Sequence, residues 1–122
     1  MDDATETVDL YFEMWNEEDQ VRRLDCIERC WTSDGRYADP VLEAEGHAGL
    51  AEMVARVHAR FPGQRFRRTS IVDRHHDMVR FAWELGAPGA PVTVAGIDVG
   101  VLAPDGRLHS ITGFFGELEA AA

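Results

Sequence analysis

The chain has 122 residues, 45% of them apolar, and a net charge of -10 from 22 acidic and 12 basic side chains. That length supports one hydrophobic core, so a single domain over residues 1–122 is expected, and the acidic balance repels phosphate backbones and anionic lipid, which argues against nucleic-acid and membrane partners. No run approaches the roughly 18 apolar residues of a membrane span, and the start, Met-Asp-Asp-Ala-Thr-Glu, lacks the basic and apolar regions of a signal peptide, so a cytoplasmic location is expected.

Residues 4–15 place Val8, Tyr11, Phe12 and Trp15 at helical spacing, and Asn16 with Asp19 offers a cap for a second helix striped by Leu24, Ile27, Cys30 and Trp31. Cys26 and Cys30, the only cysteines, fall one turn apart there, as small apolar residues on a buried face do. A metal would need two further soft ligands, and His47 and His58 belong to another helix, so no metal site is expected. Thr32-Ser-Asp-Gly35 breaks the helix, and residues 36–39 read as a short strand stopped by Pro40, with Asp39 at its end. A third helix over 47–61 carries Leu50, Met53, Val54, Val57 and Phe61 and ends at Phe61-Pro62-Gly63. Strands follow at about 64–73, 75–85, 91–103 and 107–118, separated by His75-His76, by residues 86–91 and by Pro104-Asp-Gly106. Helices first and consecutive hairpins afterwards give an α+β class with a mostly antiparallel sheet.

Asp98 is the conspicuous residue, because it stands inside the apolar strand Val94-Ala-Gly-Ile-Asp-Val-Gly100. Burial disfavours a charged carboxyl, so Asp98 is expected to be a protonated hydrogen-bond donor or an unusually strong base. A strand-edge aspartate that caps a turn or pairs with an arginine is the plainer alternative. Gly96 and Gly100 flank Asp98 on its own face and either open space for a ligand or mark strand bends. Val92, Val94 and Leu102 share that face while Ile97, Val99 and Val101 share the other, so a homodimer through the outer sheet face is expected to cover the second apolar set.

Parity extends the pattern to the neighbouring strands. Val79, Phe81, Trp83 and Leu85 point one way, with Arg80 opposite and away from Asp98. In the last strand His109, Ile111, Gly113 and Phe115 share a face, which makes His109 a pocket candidate or a satisfied structural group. The His75-His76-Asp77 turn, Asp73 with Arg74, and the Arg65–Arg68 run read as solvated or dimer-contacting polar features.

Tyr11, Asp39-Pro40 and Asp98 together resemble the ketosteroid isomerase branch of the nuclear transport factor 2-like superfamily, over nearly the whole chain. Tyr37-Ala-Asp-Pro40 and an aromatic residue on the first helix are common throughout that superfamily. Trp15-Asn16, His75-His76, Gly106-Arg-Leu and Ile111-Thr-Gly-Phe-Phe115 are more similar to its SnoaL-like branch, which includes polyketide cyclases. Limonene epoxide hydrolases use an Arg-x-Asp pair on the sheet, and Gly at position 96 argues against that chemistry here.

The resemblance implies a cone-shaped fold, with three N-terminal helices on a curved sheet enclosing a pocket. It also implies a hydrophobic carbonyl-bearing substrate and neither cofactor nor metal. Tyr11 and Asp98 would donate hydrogen bonds to an enolate oxygen and Asp39 would be the general base. Phe115 matches the isomerases' pocket aromatic, and Trp83, Phe81, Phe61 and His109 are further substrate-facing candidates. The same fold used without chemistry, as a small-molecule-binding or dimerisation module, is the alternative.

Overall fold

A computed structural model of the chain describes residues 3–122. Helix α1 (Asp3–Asn16) buries Ala4, Val8, Tyr11, Met14 and Trp15 along one stripe. Asp19 caps α2 (Gln20–Cys30), its carboxylate accepting from the Arg22 amide at 2.9 Å. Asn16 does something else: its side-chain amide donates to the Phe66 carbonyl at 2.9 Å and accepts from the Phe66 amide at 2.8 Å, tying the end of α1 to the sheet.

Of the expected α2 stripe Ile27, Cys30 and Trp31 are buried, but Leu24 is exposed, and Arg23 and Cys26 complete the buried face instead. Arg23 takes the inner place because its guanidinium donates to the carbonyls of Glu17 and Glu18, which close the end of α1.

The chain passes straight from α2 into β1 (Trp31–Ala38), without the expected break at residues 32–35. A register irregularity between Trp31 and Arg36 absorbs those polar residues within the strand. After β2 (Glu43–Glu45), α3 (Gly46–Arg60) buries Leu50, Met53, Val54 and Val57.

The remaining strands are β3 (Arg65–Arg68), β4 (Asp73–His75), β5 (Met78–Gly86), β6 (Val94–Leu102) and β7 (Leu108–Phe115). One expected strand, 64–73, is two: β3 and β4 both pair with β5, at Arg68 opposite Trp83 and Asp73 opposite Arg80. Strand β6 begins at Val94, and Val92 is exposed in the loop before it. The order is β2-β1-β7-β6-β5-β3 with β4 off this path, antiparallel throughout except for the parallel β1–β7 pair. The three helices pack on one face of this curved, unclosed sheet.

Pairing between β6 and β7 slips by one residue near its end, so that Val101 faces Ser110 while Leu102 faces Leu108. The extra residue is His109. Leu108 and Ile111 are both buried as a result, and His109 turns outward.

Candidate functional site

Asp98 is 3% exposed and sits directly across from Phe81 on β5 and Gly113 on β7. Both its oxygens accept hydrogen bonds: Oδ2 from the Tyr11 hydroxyl at 2.7 Å and Oδ1 from the Trp83 indole N–H at 3.0 Å. Burial pushes the Asp98 carboxyl up to about 7, with a smaller push from the charge of Asp39. The bonds from Tyr11 and Trp83 act the other way, because they favour the charged form. Arg80 is not involved; it points outward to Asp73 at 2.7 Å, as parity predicts.

Gly96 and Gly100 make this arrangement possible, although not by opening space for a ligand. A Cβ on Gly96 would lie 2.7 Å from the Trp83 ring, so the glycine lets the indole lean towards Asp98. A Cβ on Gly100 would meet Ile111 at 2.9 Å and Val79 at 3.0 Å, so that position is filled by core side chains.

Asp39 is held by a second set of contacts. Its Oδ1 accepts from the amides of Val41 at 2.8 Å and Leu42 at 2.7 Å, closing the turn that Pro40 begins, and its Oδ2 accepts from the Tyr37 hydroxyl at 2.6 Å. Tyr37 is buried and Asp39 half-buried. Burial, helped by the charges of Asp98 and Asp39, holds the Tyr37 hydroxyl well above the usual tyrosine range.

These two clusters meet at Gly113. Strand β7 runs between β1 and β6, so Asp39 approaches it from one side and Asp98 from the other. A Cβ there would lie 2.8 Å from Asp98 Oδ1, 3.3 Å from Asp39 Cβ and 3.7 Å from the Tyr37 hydroxyl. Glycine is what lets two carboxyls and a phenol crowd one backbone position.

An apolar cavity of about 360 Å³ opens beside them, between sheet and helices, with Trp15, Tyr37, Asp39, Phe61, Trp83 and Phe115 in its wall. Phe115 stands edge-on to Trp83 with ring centroids 5.9 Å apart. Of the expected residues, Asp39, Phe61, Trp83 and Phe115 line the cavity, whereas Tyr11 and Asp98 stand behind its wall. Phe81 belongs to the core, 5.8 Å from Tyr11 and 5.5 Å from Phe12 by ring centroids. His109 is not a pocket residue: the bulge carries it outside, 48% exposed and 3.7 Å from Asp34.

Tyr37, Arg56 and Arg60 also line the cavity and were not expected to. Tyr37 could have been found, because residues two apart on a strand share a face and Asp39 was already a candidate. Among the described residues no three His, Cys, Asp or Glu side chains are grouped to hold a metal ion. Cys26 and Cys30 are free and buried thiols.

The sequence profile of the SnoaL-like domain matches residues 8–111. Among solved structures, a proposed isomerase of the SnoaL-like family from Agrobacterium tumefaciens strain C58 is 33% identical with a TM-score of 0.89, covering 96% of this chain and 100% of that one. A proposed SnoaL-like polyketide cyclase from Jannaschia sp. CCS1 shares the fold at 21% identity and a TM-score of 0.73, over 93% of this chain and 85% of its own. So does a nuclear transport factor 2-like protein of unknown function from Exiguobacterium sp. 255-15, at 15% identity and a TM-score of 0.72, over 92% and 99%. No curated protein sequence matches the chain.

Proposed function

The chain belongs to the SnoaL-like family, and from that premise we propose that it is a cofactor-independent acid–base enzyme, an isomerase or polyketide cyclase acting on a hydrophobic, carbonyl-bearing small molecule. The observation that carries the reading is Asp39: a carboxylate set in the wall of a mostly apolar cavity, with a phenol on one oxygen and a buried carboxyl of raised pKa close behind. In this reading Asp39 takes a proton from the carbon next to the carbonyl, and the same proton is returned at another carbon in an isomerisation. In a cyclisation the enolate attacks a second carbonyl instead.

The enolate oxygen needs a donor, and Tyr37, which lines the cavity and donates to Asp39 Oδ2, is placed to turn its hydroxyl to that oxygen once Asp39 has taken the proton. Tyr11 and Asp98, the donors implied by the resemblance, serve in this reading as support behind Tyr37, since neither lines the cavity and Tyr11 donates to Asp98. The apolar strip on the outer face of β6 and β7, where Ile97 is 46% and Phe114 61% exposed, is assigned in the same reading to a second copy of the chain.

Turnover of a 5-ene-3-keto steroid by the wild-type protein and by Asp39→Asn tests the isomerase version. The expected loss is about 10²- to 10⁴-fold, the usual share of a general base. No turnover, or no loss in the variant, removes it. Proton–deuterium exchange next to the carbonyl of a β-keto ester tests the proton abstraction that both versions share.

A second reading, a binding module without chemistry, is favoured by one feature: Asp39 Oδ1 accepts from the Val41 and Leu42 amides as a turn cap does. Ligand affinity that stays flat across pH 5–9, with no exchange, would support it.

A further inference from the structure

In a chain of net charge -10, two arginines line the cavity. Arg56 and Arg60 lie one turn apart on α3 around the buried Val57, and both are exposed on their outer side. Among the described residues neither guanidinium has a hydrogen bond or an ion pair. Glu52 stands one turn before Arg56 and does not pair with it, and both oxygens of Asp39 are already taken by Val41, Leu42 and Tyr37. Arg60 instead lies against the ring of Phe61, with Cζ 5.8 Å from its centroid. Five other arginines, Arg29, Arg67, Arg68, Arg80 and Arg107, each hold a carboxylate, and Arg23 is bonded to the carbonyls of Glu17 and Glu18.

With Asp39 the only acid in the wall among the described residues, the lining is positive inside a protein that is otherwise strongly negative. The long-range field of the chain repels anions, so any anion held here must be held by local contacts. Two guanidinium forks beside an apolar volume suit a carboxylate attached to an apolar body, because each fork matches a carboxylate's two oxygens and the adjoining wall takes the hydrocarbon. We infer that the substrate is an amphipathic anion, with a terminal carboxylate bound by Arg56 and Arg60 and its apolar, carbonyl-bearing part in the cavity beside Asp39. This inference rests on the reading of the cavity as the substrate site.

The test compares binding of decanoate and 1-decanol, equal in length and different in charge, at pH 8 and low ionic strength. The readout is quenching of Trp15 and Trp83, which both line the cavity. The wild-type protein is expected to bind decanoate about tenfold more tightly, the scale of one charge-assisted contact. The Arg56→Gln/Arg60→Gln double variant, which breaks no hydrogen bond or ion pair among the described residues and removes only the Arg60 contact with the Phe61 ring, loses the preference and keeps its affinity for decanol. Arg22→Gln, an exposed arginine that does not line the cavity, leaves the preference intact.

Raising the salt to about 0.5 M weakens decanoate binding alone. Equal or weaker binding of decanoate, failure of both probes to bind, or a preference that survives the double substitution overturns the inference. Asp39→Asn separates the two ideas: if it retains the decanoate preference while neither protein exchanges or turns over a substrate, the anion site stands and the acid–base reading falls. Loss of turnover in that variant without any decanoate preference in the wild type gives the reverse.

Discussion

The Tyr11 hydroxyl donates to Asp98 Oδ2 at 2.7 Å, across 87 residues of chain and within the buried core. This bond joins the first helix to the middle of the sheet, and it makes Tyr11 a regulator of the carboxyl. Tyr11→Phe removes one of the two donors that favour the charged form, so the pKa of Asp98 is expected to rise above about 7. Carbon-13 detected titration of the aspartate side chains in wild type and variant reads the shift. A fall, or no change, would show that Tyr11 does not hold the charge.

Stability should carry the signature of the same group. The folded carboxyl titrates near 7, against about 3.8 for an ordinary aspartate, so between these values the folded state holds a proton that the unfolded state has lost. The contribution of Asp98 is therefore most favourable below pH 4 and declines as pH rises through 7, by about 4 kcal/mol in all. Asp98→Asn removes the titration. Urea denaturation at pH 5, 7 and 8.5 is expected to show a flatter profile in the variant than in the wild type; parallel profiles would place the proton elsewhere.

Gly113→Ala is the sharpest steric probe. Its methyl would come to 2.8 Å from Asp98 Oδ1 and 3.3 Å from Asp39 Cβ, with a strand backbone on the other side that has little room to move. Overpacking of this kind costs about 1–3 kcal/mol, and here it also forces the two carboxyls apart. A lowered melting temperature together with a lowered exchange rate is expected. Unchanged stability would mean that the sheet gives way more easily than the packing indicates.

His109→Ala is expected to do almost nothing. The side chain is 48% exposed and stands 3.7 Å from Asp34 at the surface. Stability should change by less than about 0.5 kcal/mol, and ligand affinity should not change. A marked loss of binding, measured with the same ligands, would put the histidine back in contact with the cavity.

The α+β class, the three helices and the inward parity of Val79, Phe81, Trp83 and Leu85 were legible in the chain, because each rests on a local period of 3.6 or 2 residues. Parity failed at His109, because a single inserted residue reverses which way every preceding side chain points and no local composition marks the slip. The helical stripe failed for Leu24 because Arg23, a charged residue, found two carbonyls to satisfy just past the end of α1. Gly96 and Gly100 were visible as side-chain-free positions, but only packing shows that Trp83, Val79 and Ile111 fill the space.

Asp98 was conspicuous from sequence alone, since a carboxyl in a run of Val, Ile and Gly is exceptional wherever the strand lies. Its raised pKa also followed from burial by that reasoning. The tertiary structure decided what surrounds it: donors from α1 and β5, Asp39 and Tyr37 gathered across Gly113, and a cavity wall that includes Asp39 and leaves Asp98 behind it. The division has a physical cause. Burial preference and periodicity belong to each residue and its near neighbours, whereas the meeting of β1 with the β6–β7 hairpin depends on the parallel β1–β7 register, which sets Tyr37 opposite Ile111 from distant parts of the chain.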